Sequence, residues 1–440
     1  MPALLTDLYE LTMVAAHHRA GRTEIPASFS LFVRSLPARR GYLVAAGLDD
    51  ALGVLEAMAF SGDDLDALAT TGLFDGEFLD WLGALRFTGS VRAVPEGRVV
   101  LAGEPLLEVD APLAEAQLAE TALLLHLGHQ VTVATKAARL RDAAGSVPVS
   151  DFGTRAAAGP DAAMRLARCA RIAGLSSTSN VAGSLAYELP ASGTMSHSFI
   201  QSFPTELEAF ETYARQYRER TILLIDTYDS DAGLAAAITV ARAMAAQGVR
   251  LAGVRIDSGD LADVTRRTRS ALDDAGFPDM EVFLTGGLDE DRIRDLLVAG
   301  VPVGGFGVGS SLAVPRDAPA VDTTYKLVEI DGRPVRKQSP GKANWPGRKQ
   351  VWRSATGDTL GLAHESGPAG SEPLLVPVMS GGRRLPGDAT DLDASAARFD
   401  VDRAWLPEAA RRVAEPVPPP VRPSAALVEL TARMAPPESG

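Results

Sequence analysis

TILLIDTYD (Thr221–Asp229) and LAGVRIDSGD (Leu251–Asp260) are each a short apolar run that ends in carboxylates and leads into a helix-length segment. The same form recurs upstream in VPVSDFG, from Val147, in AGLSSTSN, ending at Asn180, and in PASGTMSH, ending at His197. It recurs downstream in MEVFLTGG and GGFGVGSS. Strands alternating with helices imply a parallel sheet with right-handed crossovers. This many units in succession predict an α/β fold whose centre, residues 146–320, is an irregular or incomplete parallel barrel. The stretch is shorter than the roughly 250 residues of a regular eightfold barrel. Ligands bind at the C-terminal ends of such strands. Asp151, Asn180, His197, Asp226, Asp257 with Asp260, Gly286 and Gly309 are therefore expected to converge on one face.

On the N-terminal side, Leu5 to Ala20 reads as a helix (residues 1–21), with Thr6 as candidate N-cap and Gly21 as its stop. Residues 22–145 mix short alternating runs such as SFSLFV with helical pieces, an α+β pattern, and Ala114 to Ala144 reads as one long helix. On the C-terminal side, TTYKLVEIDGRPVRKQ opens a second set of strands (321–415) with Asp331-Gly332 as a hairpin turn. These return strands are expected to extend the N-terminal sheet, so that N- and C-terminal segments together form an additional α+β domain. The tail (416–440) holds a proline-rich connector, EPVPPPVRP, a short helix from Ala425 to Met434, and a frayed PPESG end.

Composition narrows the function. With 46% hydrophobic and 22% charged residues the chain is globular rather than disordered, and a formal net charge of −13 disfavours nucleic acid or a membrane surface as partner. The most apolar window, Ala122 to Ala134, is interrupted by His126, His129 and Gln130, so no span is expected. MPALLTDLYELTM carries acidic residues and no basic run, which does not fit a secretory signal. The single cysteine, Cys169, excludes an intrachain disulfide and a multi-cysteine zinc site, which suits a cytoplasmic protein. Four of the five lysines, Lys326, Lys337, Lys342 and Lys349, fall in one segment, either a solvated hairpin or a set of charges for a polyphosphate.

Several residues have chemistry to offer. TGGLDE (Thr285–Glu290) and GFGVGSS (Gly305–Ser311) are glycine turns leading into helices, where backbone N–H groups meet phosphates. Asp257 can hold Mg2+ or a ribose diol and Arg255 a phosphate, whereas Asp260 alone reads as a helix cap. In DFGTR, Phe152 and Arg155 suit a flat anionic ring, or are a core ring beside a surface guanidinium. His197 precedes a helix opened by Pro204, Thr205 and Glu208. The other histidines give it no zinc spacing, so it reads as a general base, a nucleophile or a satisfied turn residue.

LLTDLYELTM, DFGTR, STSNVAG, GTMSHSF, LLIDTYD, VRIDSGDL, TGGLDE, GFGVGSSL, YKLV and PGKANWPGRKQVWR, in this order from Leu4 to Arg353, closely resemble the nicotinate phosphoribosyltransferase family. The resemblance implies a type II phosphoribosyltransferase fold and a homodimer with sites at its interface. It implies a reaction of nicotinate with phosphoribosyl pyrophosphate, giving nicotinate mononucleotide and pyrophosphate, coupled to ATP hydrolysis and using Mg2+. By the same resemblance His197 is the transiently phosphorylated histidine, held by neighbours such as Ser196 and Ser198. Tyr9 is the ring lent to the partner's site, Phe152 the ring on nicotinate's other face, and Arg155 the partner of its carboxylate. Asn180 stands where the nicotinamide enzyme has an aspartate. Arg255 and Asp257 lie near ribose, phosphate and metal, with Asp257 as the metal ligand, Asp226 is a nearby strand-end acid in the phosphoribosyl pyrophosphate site, and Gly286, Gly287, Gly307, Gly309 and Ser310 cradle the 5'-phosphate. The family often has a second arginine after DFGTR where this chain has Ala156, which leaves the anion-binding charge one short: either affinity for a phosphate or for ATP is weaker, or Arg165 or Arg168 compensates.

Four alternatives stay open. Quinolinate phosphoribosyltransferase has no use for the GTMSHS histidine, and nicotinamide phosphoribosyltransferase is opposed by Asn180. A sugar-phosphate aldolase or isomerase barrel is opposed, in its Schiff-base version, by the lack of lysine between Val147 and Ser311. A catalytically dead nucleotide-binding relative is opposed by His197, Arg155, Arg255 and Asp257.

Overall fold

The computed structural model describes residues 3–339 and 341–434. The chain divides into two compact units, Met1–Thr135 with Asp317–Gly440, and Lys136–Arg316.

The first unit is built on a seven-stranded sheet in the order Arg333–Pro334, Thr323–Ile330, Pro26–Val33, Pro105–Pro112, Ser90–Ala93, Val376–Ser380, Arg383–Arg384. Its ladders are antiparallel. The strand PASFSLFV is buried along nearly its whole length between Thr323–Ile330 and Pro105–Pro112. Phe29 stacks on Tyr325 at 4.8 Å, and the Tyr325 hydroxyl donates to the Ala116 carbonyl at 2.9 Å. The Asp331-Gly332 turn takes positive φ at both residues (50° and 69°), which matches the twist of the hairpin it closes.

Three expectations for this unit change. The first helix is Leu8–Arg19 with Asp7 at its N-cap; Thr6 instead gives its hydroxyl proton to Glu10 at 2.7 Å. Gly21 does end it, at φ 63°, with Arg22 N–H reaching the His17 carbonyl and Gly21 N–H that of His18. The long helix is two, Leu113–Leu118 and Glu120–Ala144. The proline-rich connector contains a strand, Val421–Pro423, lying parallel on Gly357–Leu362 at a sheet edge, where proline costs no ladder bond. The final helix is Ala425–Arg433, capped by Ser424, and the PPESG end lies outside the described residues.

The second unit is α/β. Its sheet is parallel throughout, in the order Ser177–Thr178, Val149–Asp151, Gly305–Val308, Glu281–Leu284, Gly253–Ile256, Ile222–Leu224. Val254, Ile256, Leu284 and Val308 are fully buried, as the apolar strands of a parallel sheet require. PASGTMSH is not a strand: it touches the sheet through one bridge, Thr178 to Ala191. Aspartates fold the crossovers. Asp229, Asp260 and Asp289 each accept from N–H groups at the start of Ser230–Ala245, Leu261–Asp274 and Glu290–Val298. Because all six strands run the same way, Asp151, Thr178, Leu224, Ile256, Leu284 and Val308 end on one edge.

Candidate functional site

Four loops at that edge are tied into one circuit. Asp226, just past Ile222–Leu224, accepts from Asp257 N–H at 2.8 Å and from the Ser258 hydroxyl at 2.6 Å. Asp257 accepts from the Thr285 hydroxyl and lies 3.6 Å from Arg255 Nη2. Arg255 donates from Nη1 to the Thr194 hydroxyl and, at 3.1 Å, to the Met195 carbonyl. That fixes the loop carrying His197, whose Nδ1 pairs with Thr227 Oγ1 at 3.1 Å. Thr227 adjoins Asp226, which closes the ring of contacts.

Two atoms of this circuit, Asp226 Oδ1 and Arg255 Nε, are buried without a hydrogen-bond partner. Such groups are costly unless something meets them. Burial pushes the Arg255 pKa down, against Asp257 and Asp226, which pull it up, and Arg155 adds to the lowering. Two guanidiniums thus feel each other here, a field that an anion relieves. Glu206 also faces Asp226 and Asp229; burial, then those two charges, push its carboxyl up.

His197 departs from expectation twice. It is the first residue of a short helix, His197–Gln201, with Ser196 at the N-cap, rather than a loop residue. Ser196 and Ser198 hydrogen-bond each other at 2.7 Å instead of holding the ring, and Thr227 holds it. Downstream, Thr205 caps Glu206–Tyr217 by accepting from Glu208 N–H at 3.2 Å.

On the neighbouring strand ends, Asp151 accepts from Gly153 N–H and the Thr178 hydroxyl, both at 2.7 Å, and its burial pushes its carboxyl up. It is the post on which the DFGTR turn is built. Phe152 follows, its N–H on the Val308 carbonyl at 2.8 Å. The ring lies over Gly307: a Cβ there would sit 2.8 Å from Phe152 Cδ2. Arg155 is exposed, in the single turn Thr154–Ala156. Arg168 is buried on Pro160–Ile172, and Arg165 lies 4.0 Å from Asp161.

Asn180 is already occupied. It caps Val181–Tyr187 by accepting from Gly183 N–H at 3.0 Å, donates to the Ala163 carbonyl at 3.1 Å, and is buried.

The glycine turns are steric necessities. At Gly286, φ is 83° and a Cβ would fall 1.8 Å from the Asp257 carbonyl oxygen; Gly287 is also left-handed, at 61°. Gly309 precedes only one helical turn, Ser310–Ala313, so backbone N–H groups rather than a helix dipole are what it offers an anion. Ser311 Oγ joins the two turns by donating to the Leu288 carbonyl.

In the first unit, Tyr9 is 45% exposed on Leu8–Arg19, and burial, then the charge of Glu120, push its hydroxyl pKa up. The lysine segment divides. Lys349 is buried, 3.3 Å from Glu108, and donates to the Gly347 carbonyl at 2.7 Å, which makes it structural. Burial lowers the Lys326 pKa against the charge of Glu120, which raises it, and the charges of Arg34, Lys337 and Lys342 add to the lowering. Among the described residues, no group of three or more histidines, cysteines or carboxylates has the geometry of a metal site, and no helix is long and apolar enough to cross a membrane.

Sequence reasoning missed Thr227, Thr194, Thr285 and Ser258, although each lies inside a quoted motif. Hydroxyls beside charged residues give no periodic signal; only the fold reveals which neighbour each one meets.

Two family models match: the nicotinate phosphoribosyltransferase N-terminal domain over residues 4–127 and the nicotinate phosphoribosyltransferase family over residues 147–355. A nicotinate phosphoribosyltransferase of Mycobacterium tuberculosis is 45% identical over 425 residues, covering 96% of this chain and 88% of the relative. One from Bacillus subtilis is 41% identical over 358 residues, covering 80% and 73%. The crystal structure of human nicotinic acid phosphoribosyltransferase aligns with a TM-score of 0.88 at 29% identity, covering 98% of this chain and 100% of that one. A nicotinate-nucleotide pyrophosphorylase from Pyrococcus furiosus aligns at 0.76 and 25%, covering 92% and 95%. By sequence over nearly its whole length, this chain belongs to the nicotinate phosphoribosyltransferase family.

Proposed function

We propose that this protein joins nicotinate to phosphoribosyl pyrophosphate, forming nicotinate mononucleotide and pyrophosphate with coupled ATP hydrolysis, as the entry step of NAD salvage. In class it is a C–N bond-forming ligase. The observation that carries the reading is the circuit linking His197, Asp226, Arg255 and Asp257 at the C-terminal edge of the sheet. We further read the sheet as an incomplete barrel, and the active protein as a cytoplasmic homodimer in which Tyr9 serves the partner's site.

In this reading Phe152 stacks on the pyridine ring and Arg155 pairs with its carboxylate, so the ring nitrogen is held in line with the anomeric carbon. As pyrophosphate leaves, positive charge grows on the ribose and negative charge on the leaving group, which Arg255 meets. Gly286, Gly287, Gly307, Gly309 and Ser310 present backbone N–H groups to the 5'-phosphate. Asp226 and Asp257 fit Mg2+, because that ion takes one or two protein carboxylates and fills its shell with water and phosphate oxygens, and Asp226 Oδ1 lacks a protein partner. When bound, the ion neutralises the leaving pyrophosphate. His197 accepts the phosphoryl group of ATP.

The test compares nicotinate, nicotinamide and quinolinate as acceptors with phosphoribosyl pyrophosphate and Mg2+. The expected result is turnover of nicotinate alone. Preference for nicotinamide or quinolinate, or no turnover of any of the three, refutes it.

A further inference from the structure

Resting on the phosphohistidine reading above, we propose that Thr227 is the positioning residue that makes Nε2 of His197 the nitrogen that takes phosphate. The His197 ring has one hydrogen bond among the described residues, from Nδ1 to Thr227 Oγ1 at 3.1 Å. Nε2 makes no hydrogen bond among the described residues. A neutral imidazole has one protonated nitrogen and one with a lone pair, and the hydrogen bond of the first decides which is which. A nucleophilic Nε2 therefore requires the proton on Nδ1, and a hydroxyl at Nδ1 can accept it.

In the step itself, the Nε2 lone pair attacks the terminal phosphorus of ATP. The Nε2–P bond forms, the bond from that phosphorus to the bridging oxygen breaks, and ADP leaves with the electron pair. No proton has to move, because Nδ1 keeps its own and donates it to Thr227 throughout. The geometry supports this division of labour at both ends of the loop. Arg255 holds the backbone just before His197 through Met195 and Thr194, and Thr227 holds the ring. Asp226, next to Thr227, is locked to Asp257 and Ser258, so the hydroxyl has a fixed base.

Thr227→Val keeps the shape of the side chain and removes the oxygen; Thr227→Ser keeps the oxygen. Two readings are taken on full-length enzyme. Long-range proton–nitrogen NMR on histidine-labelled protein, with His197 assigned by its loss in His197→Ala, gives the tautomer without ATP. Phosphorus NMR on enzyme treated with MgATP gives the phosphorylated nitrogen. The expected result is Nδ1–H and Nε2–P in wild type and Thr227→Ser. Thr227→Val should move the ring toward Nε2–H and slow phosphoenzyme formation about tenfold, the effect of one hydrogen bond. Its thermal unfolding should match wild type, since a merely structural role would not change the tautomer. A tautomer indifferent to Thr227→Val, or phosphate on Nδ1, overturns the proposal. A wild type that never takes phosphate, but whose tautomer still follows Thr227, refutes the phosphohistidine reading while supporting the control of the ring.

Discussion

Gly307 lies beneath the Phe152 ring, so Gly307→Ala tests whether that ring does the work assigned to it. The residue lies in Gly305–Val308, where an alanine is conformationally acceptable, so the effect is contact alone. The new Cβ would stand 2.7 Å from Thr285 Cγ2 and 2.8 and 2.9 Å from Phe152 Cδ2 and Cε2. Ordinary carbon contacts begin near about 3.5 Å, so the ring has to retreat by roughly 0.6–0.7 Å. Such overpacking costs about 1–3 kcal/mol of stability. A displaced ring forfeits a stack worth about 0.5–1.5 kcal/mol, which raises the KM for nicotinate roughly 2- to 13-fold. Because the stack serves ground and transition states alike, kcat should hold. Steady-state kinetics and thermal unfolding on Gly307→Ala, Phe152→Leu and the double variant complete a cycle. A Gly307→Ala protein with wild-type KM refutes the reasoning, as does a loss undiminished when Phe152 is already leucine.

Other outcomes follow from single contacts. Asn180→Asp keeps the cap on Gly183 but sets a carboxylate against the Ala163 carbonyl, so thermal unfolding should show a loss of roughly 1–3 kcal/mol and product assays no gain of nicotinamide turnover. Glu10, buried and hydrogen-bonded by Thr121 and Thr6, has its pKa raised from 4.5 to about 7, chiefly by burial. The folded protein binds that proton more tightly than the unfolded chain, so ionising Glu10 costs nothing below pH 4.5 and most above about pH 7. Glu10→Gln should therefore gain on wild type as pH rises through that window, by up to roughly 3 kcal/mol, in denaturant titrations at several pH values. Lys349→Ala removes one of two cations on the buried Glu108 but leaves Arg92 Nη2 at 2.6 Å and the backbone N–H of residue 349, so it should cost about 1–3 kcal/mol, whereas the exposed Lys342→Ala should leave the melting temperature unchanged.

The parallel sheet was legible because its strands are continuous apolar runs with abrupt polar ends, and the Asp260 cap because aspartate at a helix start has one dominant use, whereas the Asp229 and Asp289 caps were not read. Short edge elements were not: Ser177–Thr178 has only two residues, and Val421–Pro423 hides as a strand among prolines because its edge position asks little of its N–H groups. At the site, Arg255, Asp257 and Asp226 stood out as chemistry-bearing residues at strand ends, and His197 as one beside a helix start. What sequence could not supply was their division into roles. Asn180 carries a chemically suggestive amide and spends it on a cap, Lys349 belongs to a cationic run and spends its charge on Glu108, and Thr227 looks ordinary until it meets a histidine nitrogen.

The most direct test of the central claim is the ratio of ADP to nicotinate mononucleotide formed by wild type and by His197→Ala, with nicotinate, phosphoribosyl pyrophosphate, Mg2+ and ATP. Wild type is expected to form both products together, and His197→Ala to retain slow nucleotide synthesis without ATP stimulation or ADP release. ADP formation by His197→Ala that still tracks product, or a wild type indifferent to ATP, would contradict it.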